Sequence, residues 1–124
     1  MFRQDSSVPK LWENITDLKI LKAAHDRSND QPVYLFKHST RCGISSHAKS
    51  ELQEWHRKNI NKAEVYYLDL IAYRSISNQI SENYRIPHQS PQIIVLVNGE
   101  AVHALSHSSI NEVDLEQLYR RLFS

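Results

Sequence analysis

The sequence predicts an α/β domain: a mixed central sheet of four to five strands with helices on both faces. Three observations predict it. Runs of strand-forming, largely apolar residues recur at 32–36, 63–71 and 92–97, the first of them continuous, as expected of a central strand covered on both sides. Segments of helical period separate these runs. After the last one, Asn98-Gly99 is a two-residue hairpin signal. With 124 residues, 40% of them hydrophobic, the chain is sized for one domain with its own core.

In chain order, residues 1–10 are polar, carry Pro9, and read as a flexible lead-in to a single domain over 11–124. Leu11 to Ile15 suits a short edge strand. Thr16 is placed to cap a helix whose inward residues are Leu18, Leu21 and Ala24, ending by Ser28-Asn29-Asp30. Pro32 to Phe36 is the first central strand, and His38 to Gly43 breaks its pattern as a loop. From Ile44 the period turns helical, with Ile44, Ala48, Leu52 and Trp55 on one face. Ala63 to Ile71 is the second strand, and Ser75 is a candidate cap for a helix over Ile76 to Asn83. Two prolines mark the loop Arg85 to Pro91. Gln92 to Val97 then pairs through the hairpin with Ala101 to Ser106. Ser109-Ile110-Asn111-Glu112 has the form of a capping box opening a last helix, with Ile110, Val113, Leu118 and Leu122 facing in. Strand–helix alternation implies right-handed parallel crossovers, and the hairpin adds an antiparallel pair.

Charge and composition exclude several classes. Fifteen Lys and Arg against fourteen Asp and Glu leave a formal charge of +1, whereas nucleic-acid proteins carry a basic face. Tyr66, Tyr67, Trp12 and Trp55 read as core residues, because no basic residues interleave with them as a stacking platform requires. The basic stretch 56–62 reads as a helix end. No apolar run is long enough to span a bilayer, and the N-terminal residues show no apolar signal region. The single cysteine, Cys42, forbids an internal disulfide and suits a reducing compartment. The expectation is a cytoplasmic protein without membrane or nucleic-acid partners, and nothing marks an oligomer, so a monomer is expected. Seven histidines raise a metal site, through Cys42 with His38 and His47 or His103 with His107. Structural zinc ordinarily takes four ligands and more than one cysteine, so no metal is expected.

Cys42 falls where a central strand ends and a helix begins. The first turn of a helix presents unpaired N–H groups and the positive end of the macrodipole, which stabilise a thiolate. Lys37, His38 and Arg41 lie close in sequence and would act in the same direction. A lone cysteine is also often a small buried hydrophobe, so position alone leaves Cys42 open between reactive and inert.

The segment Phe36-Lys37-His38-Ser39-Thr40-Arg41-Cys42-Gly43-Ile44-Ser45-Ser46 resembles the active-site segment of the monothiol bacilliredoxins of the bacillithiol system. The family pattern reads closely as F-K-H-S-T-x-C-P-I-S. A second block, His88-Gln89-Ser90-Pro91-Gln92 followed by an apolar strand, Asn98-Gly99 and Ser106-His107, is similar to that family's H-x-S-P-Q segment. The likeness runs from about Trp12 to Phe123. One departure is Gly43, where the family usually has proline, a change that bears on redox potential and partner choice. The C-G-I-S string is also close to the C-G-F-S of monothiol glutaredoxins, but the Gly-Gly-x-Asp glutathione segment is absent.

The resemblance implies a thioredoxin-like fold and a cis bond at Ser90-Pro91, facing the reactive cysteine. It implies Cys42 as nucleophile, with Arg41, Gly43, Ser45, Ser90 and Pro91 shaping the thiol site and His88 and His107 bordering the cleft. Two roles stay open for Ser45: donor to the thiolate, or ordinary first-turn residue. Where dithiol redoxins carry a second cysteine, this chain has Ser45. Cys42 would therefore take a small thiol from mixed disulfides on client proteins, and an external thiol would release it. The implied co-substrate is bacillithiol, a cysteine–glucosamine–malate conjugate, with no bound cofactor. Its carboxylates would suit Arg41, Lys37 or Arg85. Alternatives from other classes are an iron–sulfur binding module and a non-catalytic redox sensor.

Overall fold

The computed structural model describes residues 9, 11–40 and 43–123. Five strands and four helices follow in the order β1 (Glu13–Asn14), α1 (Leu18–Arg27), β2 (Val33–His38), α2 (Gly43–Lys58), β3 (Glu64–Asp69), α3 (Arg74–Tyr84), β4 (Gln92–Val97), β5 (Glu100–Ser106) and α4 (Glu112–Phe123). A 3-10 turn, His107–Ser109, precedes α4. The sheet order is β1-β3-β2-β4-β5. β3 runs parallel to β1 and β2, whereas β4 is antiparallel to β2 and β5.

Strand alternation divides the core into two layers. Tyr34, Phe36, Val65, Tyr67, Ile93 and Val95 face α2 and α4, where they meet Leu52, Trp55, Leu115 and Leu118. Val33, Leu35, Leu68, Ile94 and Leu96 face the other way, against Leu21, Ala24, Ile76 and Ile80 of α1 and α3. Every residue of β2 is buried, as a strand covered on both faces demands. The Asn98-Gly99 turn has φ of 52° and 76°, the left-handed pair that a two-residue hairpin requires. Ser28 receives it, its carbonyl accepting from Asn98 N–H and its Oγ from Gly99 N–H, both at 2.8 Å.

Several local expectations shift. The edge strand contracts to two residues. Asp17, not Thr16, caps α1, accepting from Ile20 N–H at 2.9 Å, and Leu18 lies outside the core at 56% exposure. On α2, Ile44 is 58% exposed and Ser45 takes the buried position. Helical period alone does not separate the two, because Ile44 and Ser45 both stand within about 80° of Ala48, Leu52 and Trp55; the Ser45 hydroxyl finds partners in His38 and the Ser39 N–H. Ser75 lies within α3, which starts at Arg74 after an uncapped Tyr73. The capping residue of α4 is Asn111. Its Oδ1 accepts from Asp114 N–H at 2.9 Å and its amide donates to Asp114 Oδ2 at 2.8 Å. That start, two residues later than expected, turns Val113 to solvent and Leu115 into the core.

Candidate functional site

β2 does not end at Phe36 but continues through Lys37 and His38, both buried. Period two sends these neighbours to opposite faces. His38 lies on the α2 face, against Phe36 and Tyr67 at ring-centroid distances of 5.7 and 5.5 Å. Its Nδ1 is 2.9 Å from Ser45 Oγ, and Ser45 Oγ also accepts from Ser39 N–H at 3.0 Å. A neutral His38 with its proton on Nε2 accepts the Ser45 hydroxyl proton at Nδ1; a ring protonated at Nδ1 donates to Ser45 instead. In either state Ser45, fully buried, ties the last residues of β2 to the first turn of α2.

Lys37 enters the other layer. Its ammonium donates to Ser77 O and to Ser81 Oγ, both at 3.1 Å, and lies 3.4 Å from His88 Nδ1. Ser77 Oγ is 3.3 Å from the same nitrogen. Burial, with a smaller contribution from Arg74, pushes Lys37 down to about 8. Burial, Lys37 and Arg74 together hold His88 below its ordinary value. Lys37 therefore binds β2 to α3 and to the 85–91 loop. With no exposed surface, it offers nothing to a carboxylate arriving from solvent. Ser77 and Ser81 were not foreseen, although two serines four apart, each following the buried Ile76 and Ile80, interrupt an apolar helix face. Such an interruption requires a polar partner across the core.

β4 runs beside β2 with Gln92 opposite Lys37, which brings Pro91 to the same end of the sheet as the β2–α2 junction. The Ser90-Pro91 peptide is cis. Pro91 is buried and its carbonyl accepts from His107 N–H at 3.1 Å. Ser90 Oγ is buried and has no hydrogen-bond partner among the described residues. Gly43 opens α2, and a Cβ placed there meets no atom of the described residues within 4 Å, so none of them imposes a steric demand for glycine at that position. Arg85 closes α3 in a left-handed conformation, φ 54°, and is exposed. The expectations for Arg41 and Cys42 lie outside the described residues. In sequence these two fall between the end of β2 and the start of α2. Among the described residues no three His, Cys, Asp or Glu side chains gather as a metal site, and no helix is long and apolar enough to cross a membrane.

The fold that carries these residues is shared with known proteins. A thioredoxin-fold protein assigned as a candidate oxidoreductase is similar at 26% identity, with a TM-score of 0.78 over 86% of this chain and 92% of the other. Thioredoxin of Fasciola hepatica superposes with a TM-score of 0.72 at 15% identity, covering 88% and 97%. Mitochondrial thioredoxin 3 of Saccharomyces cerevisiae does so at 0.71 and 14%, covering 90% and 95%. The fold is thus the thioredoxin fold. The family described as monothiol bacilliredoxin BrxC matches residues 13–115. That match covers most of the chain, which carries a single cysteine, and the protein belongs to the monothiol bacilliredoxin family.

Proposed function

We propose that this protein removes a low-molecular-weight thiol, bacillithiol, from mixed disulfides on client proteins in the cytoplasm. The family and fold support thiol–disulfide exchange, and the observation that carries the monothiol mechanism is the single cysteine, Cys42. In the first step Cys42 thiolate attacks the bacillithiol sulfur of the mixed disulfide. A new S–S bond forms to Cys42, the old one breaks, and the client leaves as a thiolate that takes a proton from water. In the second step an external thiolate attacks the adduct on Cys42. It leaves as a disulfide with bacillithiol and regenerates the Cys42 thiolate. The number of disulfides is conserved throughout, so neither step needs an electron carrier. In the thioredoxin fold the cis Ser90-Pro91 backbone would lie alongside the bound sulfur, with Arg41 and Gly43 on the junction side.

The test uses a single-cysteine protein loaded with bacillithiol and followed by intact mass. The expected result is loss of the adduct from the client, its transient gain by the wild type, and neither event with Cys42→Ser. Adduct gain without client turnover would establish a redox sensor in place of the exchanger. Visible absorption of protein purified without oxygen, lost in Cys42→Ser, would establish a cluster-binding module.

A further inference from the structure

Beside the β2–α2 junction the surface opens into a polar cavity that the exchange chemistry leaves without a task. His38, Thr40, Ser46, Lys49, Ser50 and Gln53 line it, enclosing about 400 Å³, a volume within the ~300–1,000 Å³ range of small-molecule sites. Its α2 wall is one helical stripe. Ser46, Lys49, Ser50 and Gln53 stand at i, i+3, i+4 and i+7, so they share a face. Among the described residues the lining provides three hydroxyls, an amide, an imidazole and one ammonium. The floor is rigid, because His38 is buried between Phe36 and Tyr67 and anchored to Ser45. Another cavity, beside Pro9, Leu11, Trp12 and Ile60, has a largely apolar wall and lacks this chemistry.

The geometry points to this cavity as the site for the non-sulfur portion of the small thiol: a hydroxylated, carboxylate-bearing moiety. Lys49 pairs with a carboxylate through a charge-assisted hydrogen bond. Thr40, Ser46, Ser50 and Gln53 exchange hydrogen bonds with hydroxyl and amide groups. Its place along the chain suits the task, since Thr40 and Gly43 flank positions 41 and 42 directly. A thiol anchored here by its polar end would present its sulfur at the junction. The inference rests on the exchange reading above and adds the determinant of thiol selectivity.

The experiment compares one single-cysteine test protein carrying either bacillithiol or cysteine, which share the reacting disulfide and differ only in the polar portion. In Lys49→Ala the ratio of kcat/KM for the bacillithiol adduct to that for the cysteine adduct falls about tenfold, mainly through KM. Lys49→Arg retains most of the ratio. A ratio unchanged in Lys49→Ala, in protein of unaltered circular dichroism, overturns the assignment. Failure of the wild type to release either thiol would instead sink the exchange reading. The cavity is then decided by titrating S-methyl bacillithiol, which cannot exchange. Amide resonances of Ser46, Lys49, Ser50 and Gln53 shift if the site is right and stay fixed if it is wrong.

Discussion

A lysine enclosed in a protein layer should make stability rise with pH, and Lys37 permits the effect to be sized. Its ammonium has three hydrogen-bonding neighbours, Ser77 O, Ser81 Oγ and His88 Nδ1, but burial still favours the neutral amine and pushes it down to about 8, against 10.5 for an exposed lysine. Below pH 8 both folded and unfolded chains hold the proton, and the folded chain bears the whole penalty. Between 8 and 10.5 the unfolded chain binds more protons, so unfolding becomes harder as pH rises. Each pH unit of difference in affinity is worth about 1.4 kcal/mol. Lys37 should therefore add about 2.5 kcal/mol of stability between pH 7 and pH 10. Tyr84 acts oppositely above pH 10, because burial raises its phenol to about 12 and the unfolded chain then loses its proton first. The measurement that isolates Lys37 is the difference between wild type and Lys37→Met in urea unfolding at pH 7, 8, 9 and 10, since Tyr84 and Cys42 are common to both. Relative to the variant, the wild type should gain about 2.5 kcal/mol over that span. A flat difference would show that Lys37 keeps its proton in the fold, and an opposite slope would show that an anion holds it.

His56 supplies the complementary acid-side case. Its Nδ1 accepts from Trp12 Nε1–H at 3.1 Å and its Nε2–H donates to Ala63 O at 2.9 Å. A second ring proton would displace the tryptophan bond, and burial lowers the group's affinity for it. The stability His56 contributes is present above pH 6.5 and is lost as pH falls, so Tm should drop faster between pH 6.5 and 5 in the wild type than in His56→Phe; parallel curves would refute this. Gly43→Ala should stabilise by about 0.5–1 kcal/mol, seen as a Tm gain of roughly 2–4 °C, because the added Cβ meets no neighbour among the described residues and the unfolded chain loses freedom. A decrease would mean that the helix start needs glycine. Asn111→Ala removes the acceptor for Asp114 N–H and should cost about 1 kcal/mol in denaturant unfolding, while Ser109→Ala, at the cap position the sequence suggested, should leave stability within about 0.5 kcal/mol.

The strands, the hairpin turn and the helix caps show where sequence reading succeeded and where it stopped. Largely apolar runs at 32–36, 63–71 and 92–97 placed the central strands, because a strand covered on both faces has no polar side to disguise it, although β2 runs on to His38 and β3 stops at Asp69. The Asn98-Gly99 turn was legible from two residues, since few others adopt its backbone. Caps were harder. Thr16 and Asp17 are adjacent candidates, as are Ser109 and Asn111, and the choice depends on how tertiary packing sets each helix's start.

By itself, then, the sequence determined the strand order along the chain, the two-layer core and a chemistry limited to one sulfur, because each follows from local residue types or from a count. Only the tertiary structure decided that Lys37 serves α3 and His88, that His38 and Ser45 lock together, and that a polar cavity opens along one stripe of α2. The physical reason is the same in each case. Lys37 meets partners 40 to 51 positions away, and whether a polar side chain is solvated, buried or part of a site depends on what the fold brings opposite it.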